Sequence, residues 1–214
     1  MIYKEALLYL ESLNSFGIKL GLERIKKLAD ILGNPQRKYK TIHITGTNGK
    51  GSTTVMLTKV LTESGIKAGM YISPHLVSYT ERMKIGDNDI TEEDFAQAIS
   101  VVAEAVLKMV EAGEENPTQF EVLTAAAFYY FAKQKVEYAV IEVGLGGLLD
   151  STNIIIPEVS VITNIEMDHA DRCGGTIKGI AENKAGIIKN EVPVVVGIDN
   201  NTIDKWNILD CGCN

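Results

Sequence analysis

The chain has 214 residues, of which 45% are hydrophobic and 23% are charged, and its formal net charge is −7. A chain of this length can bury a full hydrophobic core, and its composition is typical of a globular protein. The excess of acidic residues argues against a broad nucleic-acid-binding surface, because such a surface needs a basic face. We therefore expect no nucleic-acid partner, although an acidic protein can still bind a polyanion where the local site is basic and bridged by metal.

The sequence also disfavours membrane and secreted proteins. No segment reaches roughly 18 uninterrupted apolar residues, so we expect no membrane span. The N-terminal segment carries Lys4 and Glu5 and has no cleavable apolar region, which predicts that there is no secretion signal. The cysteines Cys173, Cys211 and Cys213 form neither a disulfide framework nor a C-x-x-C pair. These features predict a cytoplasmic protein.

The predicted elements alternate between helices and strands along the chain. Two amphipathic helices occupy residues 1–34, and we expect them to cover a sheet. Strands are predicted at 41–45, 67–73, 138–143, 159–165 and 192–197, helices at 53–63, 92–111, 118–133 and 176–188, and a polar loop from 74 to 89. Near-continuous apolar strands that alternate with helices predict a doubly wound α/β domain with a mostly parallel sheet. In such a domain ligands bind at the carboxyl ends of the strands.

Residues 41–52, TIHITGTNGKGS, have the order of a phosphate-binding loop. A β-branched strand runs into a glycine-rich turn, where backbone N–H groups can point inward, and a helix follows with its positive dipole end. Lys50 would reach the outer phosphates, and a hydroxyl just beyond it would hold Mg²⁺. The strict pattern G-x-x-x-x-G-K-[ST] is not met, because Gly51 separates Lys50 from Ser52. An ordinary strand-to-helix turn stays the alternative.

Three further polar residues follow predicted strands or lie on the last predicted helix. Glu142 lies near the carboxyl end of an otherwise apolar strand, where a carboxylate is costly unless it is paired or bound to metal. It is therefore either a Mg²⁺ ligand or a carboxylate that accepts backbone N–H groups. His169 follows the strand at 159–165 and is either structural or a ligand for metal or phosphate. Lys184 lies on a helix, where its spacing alone indicates an exposed surface charge.

Seven segments of this sequence occur in an order typical of one known family. They are GTNGKGS at 46–52, YISPH at 71–75, TQFE at 118–121, EVGLGG at 142–147, LDSTN at 149–153, MDH at 167–169 and KAGIIK at 184–189. Together they resemble the folylpolyglutamate synthase/dihydrofolate synthase family of the Mur ligase superfamily. The resemblance covers residues 1–197 and implies a P-loop domain like the Mur ligase central domain.

The resemblance implies an ATP-dependent ligase that adds L-glutamate to a folate or to dihydropteroate. In the family, the γ-phosphate of ATP is transferred to a carboxylate of the folate substrate. The amine of glutamate then attacks this acyl phosphate, releases phosphate and forms an amide. The activation is needed because a carboxylate is a poor electrophile until one oxygen becomes a good leaving group. Such a site acts mostly by positioning and by neutralising phosphate charge.

The resemblance also implies roles for individual residues. The implied ATP-binding residues are Gly46, Thr47, Asn48, Gly49, Lys50, Gly51 and Ser52. The implied Mg²⁺ ligands are Ser52, Ser73 and Glu142 for a first ion and His169 for a second. The implied folate-binding residues are Ser73, Pro74, His75, Thr118, Phe120 and Glu121. The implied catalytic residues are Lys50, Asp150, His169 and Lys184, and the family lysine that matches Lys184 is typically carbamylated.

The sequence departs from the family in two ways. Leu148 stands where the family usually has arginine, and the match over residues 170–183 is loose. Family members are also about twice as long and carry a C-terminal domain that helps to hold glutamate. We therefore expect a truncated chain in which residues 198–214 form a non-matching tail and the C-terminal glutamate-ligase domain is absent. An incomplete sheet with an exposed edge follows, and the full-length protein is expected to be a monomer.

Two other functions stay open at this point. A cell-wall Mur ligase would use a similar phosphate loop on an amino-sugar nucleotide, but Gly51 and the Ser73-Pro74-His75 loop resemble the folate branch. A catalytically inactive nucleotide-binding remnant, or an interaction module, would keep the fold without the chemistry. Binding of ATP with Mg²⁺ distinguishes the remnant from both enzymes.

Overall fold

The computed structural model describes residues 1–17, 19–167 and 175–197. The predicted site residue His169 and the predicted tail, 198–214, lie outside the described residues. Within the described ranges, one seven-stranded sheet carries helices on both of its faces. This arrangement confirms the predicted α/β class.

The sheet is mostly parallel, and its strand order is β4-β3-β2-β5-β1-β6-β7. The strands are β1 (Lys40–Thr45), β2 (Ala68–Tyr71), β3 (Met83–Ile85), β4 (Asn88–Asp89), β5 (Tyr138–Glu142), β6 (Val159–Ile162) and β7 (Val194–Val196). Strands β2, β5, β1, β6 and β7 pair in parallel, whereas β3 and β4 form an antiparallel hairpin beside β2. In the register, Ile44 of β1 pairs with Glu142, and Thr45 pairs with Ile162. The ends of the three central strands therefore lie side by side.

Six α-helices are described, and most begin where the sequence indicates a helix start. They are α1 (Tyr3–Ser12), α2 (Glu23–Ile31), α3 (Lys50–Glu63), α4 (Glu92–Glu111), α5 (Gln119–Lys133) and α6 (Ile177–Ala185). The hydroxyls of Thr91, Thr118 and Thr176 each accept a backbone N–H from the first turn of α4, α5 and α6, which satisfies a donor that the helix itself leaves free. No helix in these described ranges is long and apolar enough to cross a membrane.

Different helices cover the two faces of the sheet. On one face, α3 packs through Leu57 against a cluster that includes Ile42 and Ile44 of β1. On the other face, α4 and α5 share the main apolar core with Ile141 of β5, and α6 packs on Ile162 of β6. Helices on both faces explain why β1 and β5 are buried along nearly their whole length.

The two lead helices do not lie directly on the sheet, which corrects the prediction from the sequence. Helix α1 packs mainly on α4, and α2 packs on α4 and α5. Their buried residues Leu10 and Leu28 join the same core as Phe95 of α4 and Phe128 of α5. The lead helices therefore form a second helical layer, and α5 is enclosed between this layer and the sheet. This enclosure accounts for the apolar circumference of α5.

The predicted polar loop at 74–89 is also corrected by the structure. It contains the hairpin β3–β4, whose strands have only three and two residues and are too short to show an alternating pattern. Four predicted strands end earlier than expected, at Tyr71, Glu142, Ile162 and Val196, and α6 ends at Ala185. The residues released from these strand ends form loops at the carboxyl edge of the sheet.

Close contact between β2 and α5 provides a test of this packing. A Cβ atom added at Gly69 would lie 2.8 Å from Cδ1 of the buried Phe131. Gly69→Ala should therefore lower the free energy of unfolding by about 1–3 kcal/mol, measured by urea denaturation. Combining it with Phe131→Leu should cost less than the sum of the two single variants, because the shorter side chain makes room. Strictly additive losses would contradict the close contact.

Candidate functional site

The predicted glycine loop (residues 46–49) joins β1 to α3 at the carboxyl edge of the sheet. Gly49 has φ 79°, a conformation that glycine adopts readily. A Cβ atom at Gly46 would lie 1.8 Å from Oγ1 of Thr163, so this position also requires glycine. Helix α3 begins at Lys50, three residues earlier than predicted, and the N–H of Thr53 bonds to the Gly49 carbonyl. The amides of the first helical turn have no partner within the helix, which is the usual basis of an anion site.

Lys50 lies over the glycine loop. Its ammonium group donates to the carbonyl oxygens of Gly46 at 2.9 Å and of Thr47 at 3.1 Å. Ser52 follows on the exposed first turn of α3. The predicted cation and hydroxyl thus lie within one turn of the helix, beside the loop.

Glu142 ends β5 and is buried, with 4% of its surface exposed. Its Oε2 accepts the backbone N–H of Ser73 at 3.1 Å. A Cβ atom at Gly51 would lie 3.7 Å from both carboxylate oxygens, so the carboxylate faces the first turn of α3. Burial raises the pKa of Glu142, while the Ser73 N–H and the charge of Lys50 act in the opposite direction. A buried carboxylate that faces this turn is suited to bind a cation, which would compensate its charge.

Residues 163–166, which follow β6, hold the glycine loop in place. The side-chain oxygen of Asn164 accepts the backbone N–H groups of Thr47 at 3.1 Å and Asn48 at 2.8 Å. Glu166 accepts from the Asn48 amide, and the Thr163 hydroxyl donates to the Asn48 carbonyl at 2.6 Å. Sequence analysis missed these residues because it assigned 163–165 to a strand. The signal that could have found them is that Thr163, Asn164 and Glu166 are polar and lie at the same edge of the sheet as the glycine loop.

A cavity of about 340 Å³, here called the Phe120 cavity, is lined in part by Ser73 and by Gly144 of the loop after β5. Predicted site residues in its wall are Ser73, Pro74, Thr118, Phe120 and Asp150. Sequence analysis did not select Lys19 and Arg82, which add positive charge to the wall. Ser73 and Pro74 are joined by a cis peptide bond. Ser73 lines the cavity and donates its N–H to Glu142, so it lies between the two.

Two predicted folate-binding residues do not line the Phe120 cavity. Glu121 is buried and accepts the backbone N–H of Thr118 at 2.7 Å and Nε of Arg24 at 3.1 Å. The ring of His75 lies 4.3 Å from the ring of Tyr79, and its Nδ1 accepts from Arg82 Nε at 2.8 Å. Their contacts hold the wall residues Thr118 and Arg82 in place, and direct contact of Glu121 or His75 with folate stays a prediction.

The two remaining predicted catalytic residues within the described ranges are both buried. Asp150 bonds to the loop that follows β5, where its Oδ2 accepts the N–H of Leu145 at 2.8 Å. Burial raises the pKa of Asp150, and its hydrogen bonds oppose this shift. Lys184 of α6 is only 5% exposed, so the surface position indicated by its spacing is wrong. Its carbonyl packs against Gly147, where an added Cβ atom would lie 3.1 Å away.

The donor set of this region fits Mg²⁺. Ser52, Ser73 and Glu142 offer hydroxyl and carboxylate oxygens, which Mg²⁺ prefers, and the ion commonly takes only one or two carboxylates and fills its other positions with water and phosphate oxygens. Among the residues that the structure describes, no group of three or more His, Cys, Asp and Glu side chains forms a metal site. A site with a single carboxylate is consistent with that result.

Comparison with known proteins identifies the family. A model of the Mur ligase middle domain matches residues 44–209. The chain belongs to the Mur ligase family. The matched range contains the glycine loop, Glu142 and Phe120, whereas Lys19 of the cavity wall lies before it.

Similar Mur ligases of known name and structure come from the folate branch. The dihydrofolate synthase/folylpolyglutamate synthase of Bacillus subtilis is 39% identical over 197 residues, which are 92% of this chain and 46% of that protein. A structure of E. coli FolC in complex with DHPP and ADP has a TM-score of 0.88 at 36% identity and covers 99% of this chain and 50% of its own. An FPGS-AMPPCP-folate complex has a TM-score of 0.89 at 39% identity, over 100% and 53% of the two chains. The chain spans about half the length of the relatives that it matches.

The contacts of Asn164 predict how the glycine loop is held. In Asn164→Ala the N–H of Asn48 loses its acceptor, so its amide hydrogen exchange should become about tenfold faster or more, whereas the N–H of Thr47 keeps the backbone carbonyl of residue 164 at 3.1 Å and should change less. Asn164→Asp retains an acceptor oxygen and should leave both amides protected. Unchanged exchange in Asn164→Ala, measured by NMR, would show that the loop does not depend on this side chain.

The raised pKa of Glu142 predicts a pH-dependent change in stability. The folded state binds the Glu142 proton more tightly than the unfolded state, so the wild-type chain loses stability as pH rises from the unfolded value through the folded one. Glu142→Gln removes this loss. Without ligands, the variant should melt at a higher temperature than wild type at pH 7–8, and the difference should shrink as pH falls toward about 4.5, the ordinary pKa of Glu, and stay constant below it. A difference that is constant over pH would contradict the assignment to Glu142.

Proposed function

We propose that this chain is the nucleotide-binding part of an ATP-dependent ligase that joins L-glutamate to a carboxylate of folate or dihydropteroate. One observation carries the proposal: Ser73 connects the two halves of the site. The N–H of Ser73 donates to Glu142, whose carboxylate faces the first turn of α3 beside the glycine loop. Ser73 also lines the Phe120 cavity. A phosphate donor on one side of Ser73 and a carboxylate acceptor on the other would meet there.

The nucleotide would bind at the glycine loop. The amides of the first turn of α3 and the ammonium group of Lys50 offer donors and positive charge for the β- and γ-phosphates. To reach them, Lys50 would exchange its bonds to the loop carbonyls for bonds to phosphate oxygens. The ADP and AMPPCP bound in the two related structures support ATP as the co-substrate.

Mg²⁺ would be held by Ser52, Ser73 and Glu142, next to the phosphates. When bound, it would neutralise charge on the transferred phosphoryl group. Its positive charge would also compensate the burial of Glu142, which is otherwise unfavourable. We assign a second ion to His169, in keeping with the sequence. Carbamylation of Lys184, which the resemblance implies, would replace its ammonium group with an anionic, carboxylate-like group near the metal.

The folate or dihydropteroate would occupy the Phe120 cavity. Its volume falls in the range of small-molecule pockets, and Phe120 offers an aromatic surface for a flat ring system. Lys19 and Arg82 supply positive charge for carboxylates of the substrate. The folate and DHPP in the related structures support this substrate class, and no described feature favours an amino-sugar nucleotide.

The chemistry follows from this arrangement in two steps. A carboxylate oxygen of the substrate attacks the γ-phosphorus of ATP, and the bond from the γ-phosphorus to the bridging oxygen breaks and releases ADP. The glutamate amine then attacks the acyl carbon, loses a proton and displaces phosphate. Lys50 and the α3 amides would hold the phosphoryl group in line, while the cavity wall fixes the carboxylate. A monomeric and cytoplasmic protein stays a prediction.

Binding of nucleotide to this chain tests the proposal directly, because the chain spans only part of its relatives. Calorimetry with Mg²⁺ and AMPPCP should give a dissociation constant in the micromolar range, and Lys50→Ala should weaken it about 30-fold, or about 2 kcal/mol. Lys59→Ala is the matched control, since Lys59 lies on the same helix but pairs with Asp87 and Glu63 at the surface. Glu142→Gln should bind equally with Mg²⁺ and with EDTA.

Two outcomes would contradict the proposal. A folded wild-type chain that binds no nucleotide would favour the inactive remnant. Equal affinities for Lys50→Ala and Lys59→Ala would mean that AMPPCP binds away from the glycine loop.

A further inference from the structure

The mechanism above does not use the imidazole of His43, which is a buried titratable group. It lies in the middle of β1 and has no exposed surface. Its Nε2 lies 2.8 Å from Oγ1 of Thr152. Its Nδ1 is also buried, and it has no hydrogen-bond partner among the residues that the structure describes.

The hydrogen bonds determine which nitrogen carries the proton. Thr152 has one hydroxyl hydrogen, and this hydroxyl donates to Oδ1 of Asp150 at 2.5 Å. The hydroxyl oxygen must therefore accept from His43, so the proton lies on Nε2 and Nδ1 is unprotonated. Burial and the nearby charge of Lys189 lower the pKa of His43 to about 3. The ring is thus neutral and fixed as one tautomer at neutral pH.

The same chain of bonds continues to the wall of the Phe120 cavity. Asp150 accepts the N–H of Thr152 at 2.9 Å on Oδ1 and the N–H of Leu145 at 2.8 Å on Oδ2. Asp150 and Leu145 both line the cavity. The neighbouring Gly144 packs so closely on Phe120 that an added Cβ atom would lie 2.4 Å from Cζ of the ring. The position of Asp150 therefore affects both the loop after β5 and the aromatic floor of the cavity.

We propose that His43 is a positioning residue for the Phe120 cavity and acts through the series His43, Thr152, Asp150 and Leu145. Its Nε2–H fixes the direction of the Thr152 hydroxyl, which then donates only to Asp150. Asp150 in turn keeps the Leu145 amide, and the loop that carries it, against Phe120. Strand β1 therefore supports two parts of the site. Its carboxyl end carries the glycine loop, and the side chain of His43 supports the substrate cavity. The identity of the cavity's ligand rests on the proposed function, whereas the hydrogen-bond series does not.

Variants of Thr152 interrupt the series without touching the cavity. Thr152→Val has nearly the same shape but lacks the hydroxyl, so hydrogen exchange at the Leu145 amide should become about tenfold faster. Affinity for pteroate should fall about five- to tenfold, while affinity for AMPPCP with Mg²⁺ should stay within about twofold. Thr152→Ser retains the hydroxyl and should restore both properties. A general loss of stability would weaken both ligands together and would not be restored by serine.

Variants of His43 test the other end. Gln places an amide near the position of Nε2 and can still donate to Thr152, whereas Leu cannot. His43→Leu should therefore match Thr152→Val, and His43→Gln should lie closer to wild type. In wild type, long-range ¹H–¹⁵N NMR of the His43 ring should show a protonated Nε2 and an unprotonated Nδ1 at pH 7. The reverse tautomer, or a doubly protonated ring, would overturn the inference.

The outcomes separate this inference from the proposed function. If the wild-type chain binds pteroate, but folded Thr152→Val binds it equally well and protects Leu145 equally, the inference fails and the function stands. If the wild-type chain binds no pteroate, the proposed function fails, and the Leu145 amide decides the inference alone. Faster exchange in Thr152→Val with recovery in Thr152→Ser then supports it, and unchanged exchange overturns it.

Discussion

The parallel pairing of β1 with β5 and β6 is the constraint on which the rest of the site depends. The register places Ile44 opposite Glu142 and Thr45 opposite Ile162, so three strands end side by side. Each of the loops that follow then meets the others at one edge: the glycine loop, the loop after Glu142 and the 163–166 segment. A shift of one residue in β5 would turn Glu142 to the opposite face, because successive side chains point to opposite sides. Backbone pairing, set by apolar side chains, thus determines where the polar chemistry lies.

Buried charge is the cost of this arrangement. Glu142, Asp150 and Lys184 are all nearly inaccessible to water, and burial raises the pKa of both carboxyl groups. The protein offsets the cost for Asp150 with hydrogen bonds from Thr152 and Leu145. Glu142 has one backbone donor and faces the glycine loop, so part of its compensation is left to a cation. Asp150, with several hydrogen-bond donors, is therefore suited to position the cavity wall, whereas Glu142, with one backbone donor, is suited to bind metal.

Much of the architecture follows from local patterns in the sequence. Four of the five parallel strands are largely apolar runs and β1 is rich in β-branched residues, while the threonines before α4, α5 and α6 are ordinary helix caps, so these elements could be predicted. The hairpin β3–β4 could not, because strands of two and three residues carry no period. The pair Thr118 and Glu121 has the spacing of a capping box, and this signal explains the position of Glu121 better than substrate binding does. The partners of Asn164 and His43 are more than 100 residues away, and no single sequence reveals them.

The central claim is that one edge of the sheet binds a single nucleotide–metal complex, and paramagnetic NMR tests it most directly. Mn²⁺ can replace Mg²⁺ in a complex with AMPPCP and broadens the signals of nearby amides. The account predicts that the amide signals of Gly51, Ser52 and Ser73 lose intensity first. The signals of Lys40 and Tyr138, at the amino ends of β1 and β5, should keep their intensity. Broadening centred on Lys40 and Tyr138, or no site-specific broadening by the complex, would contradict it.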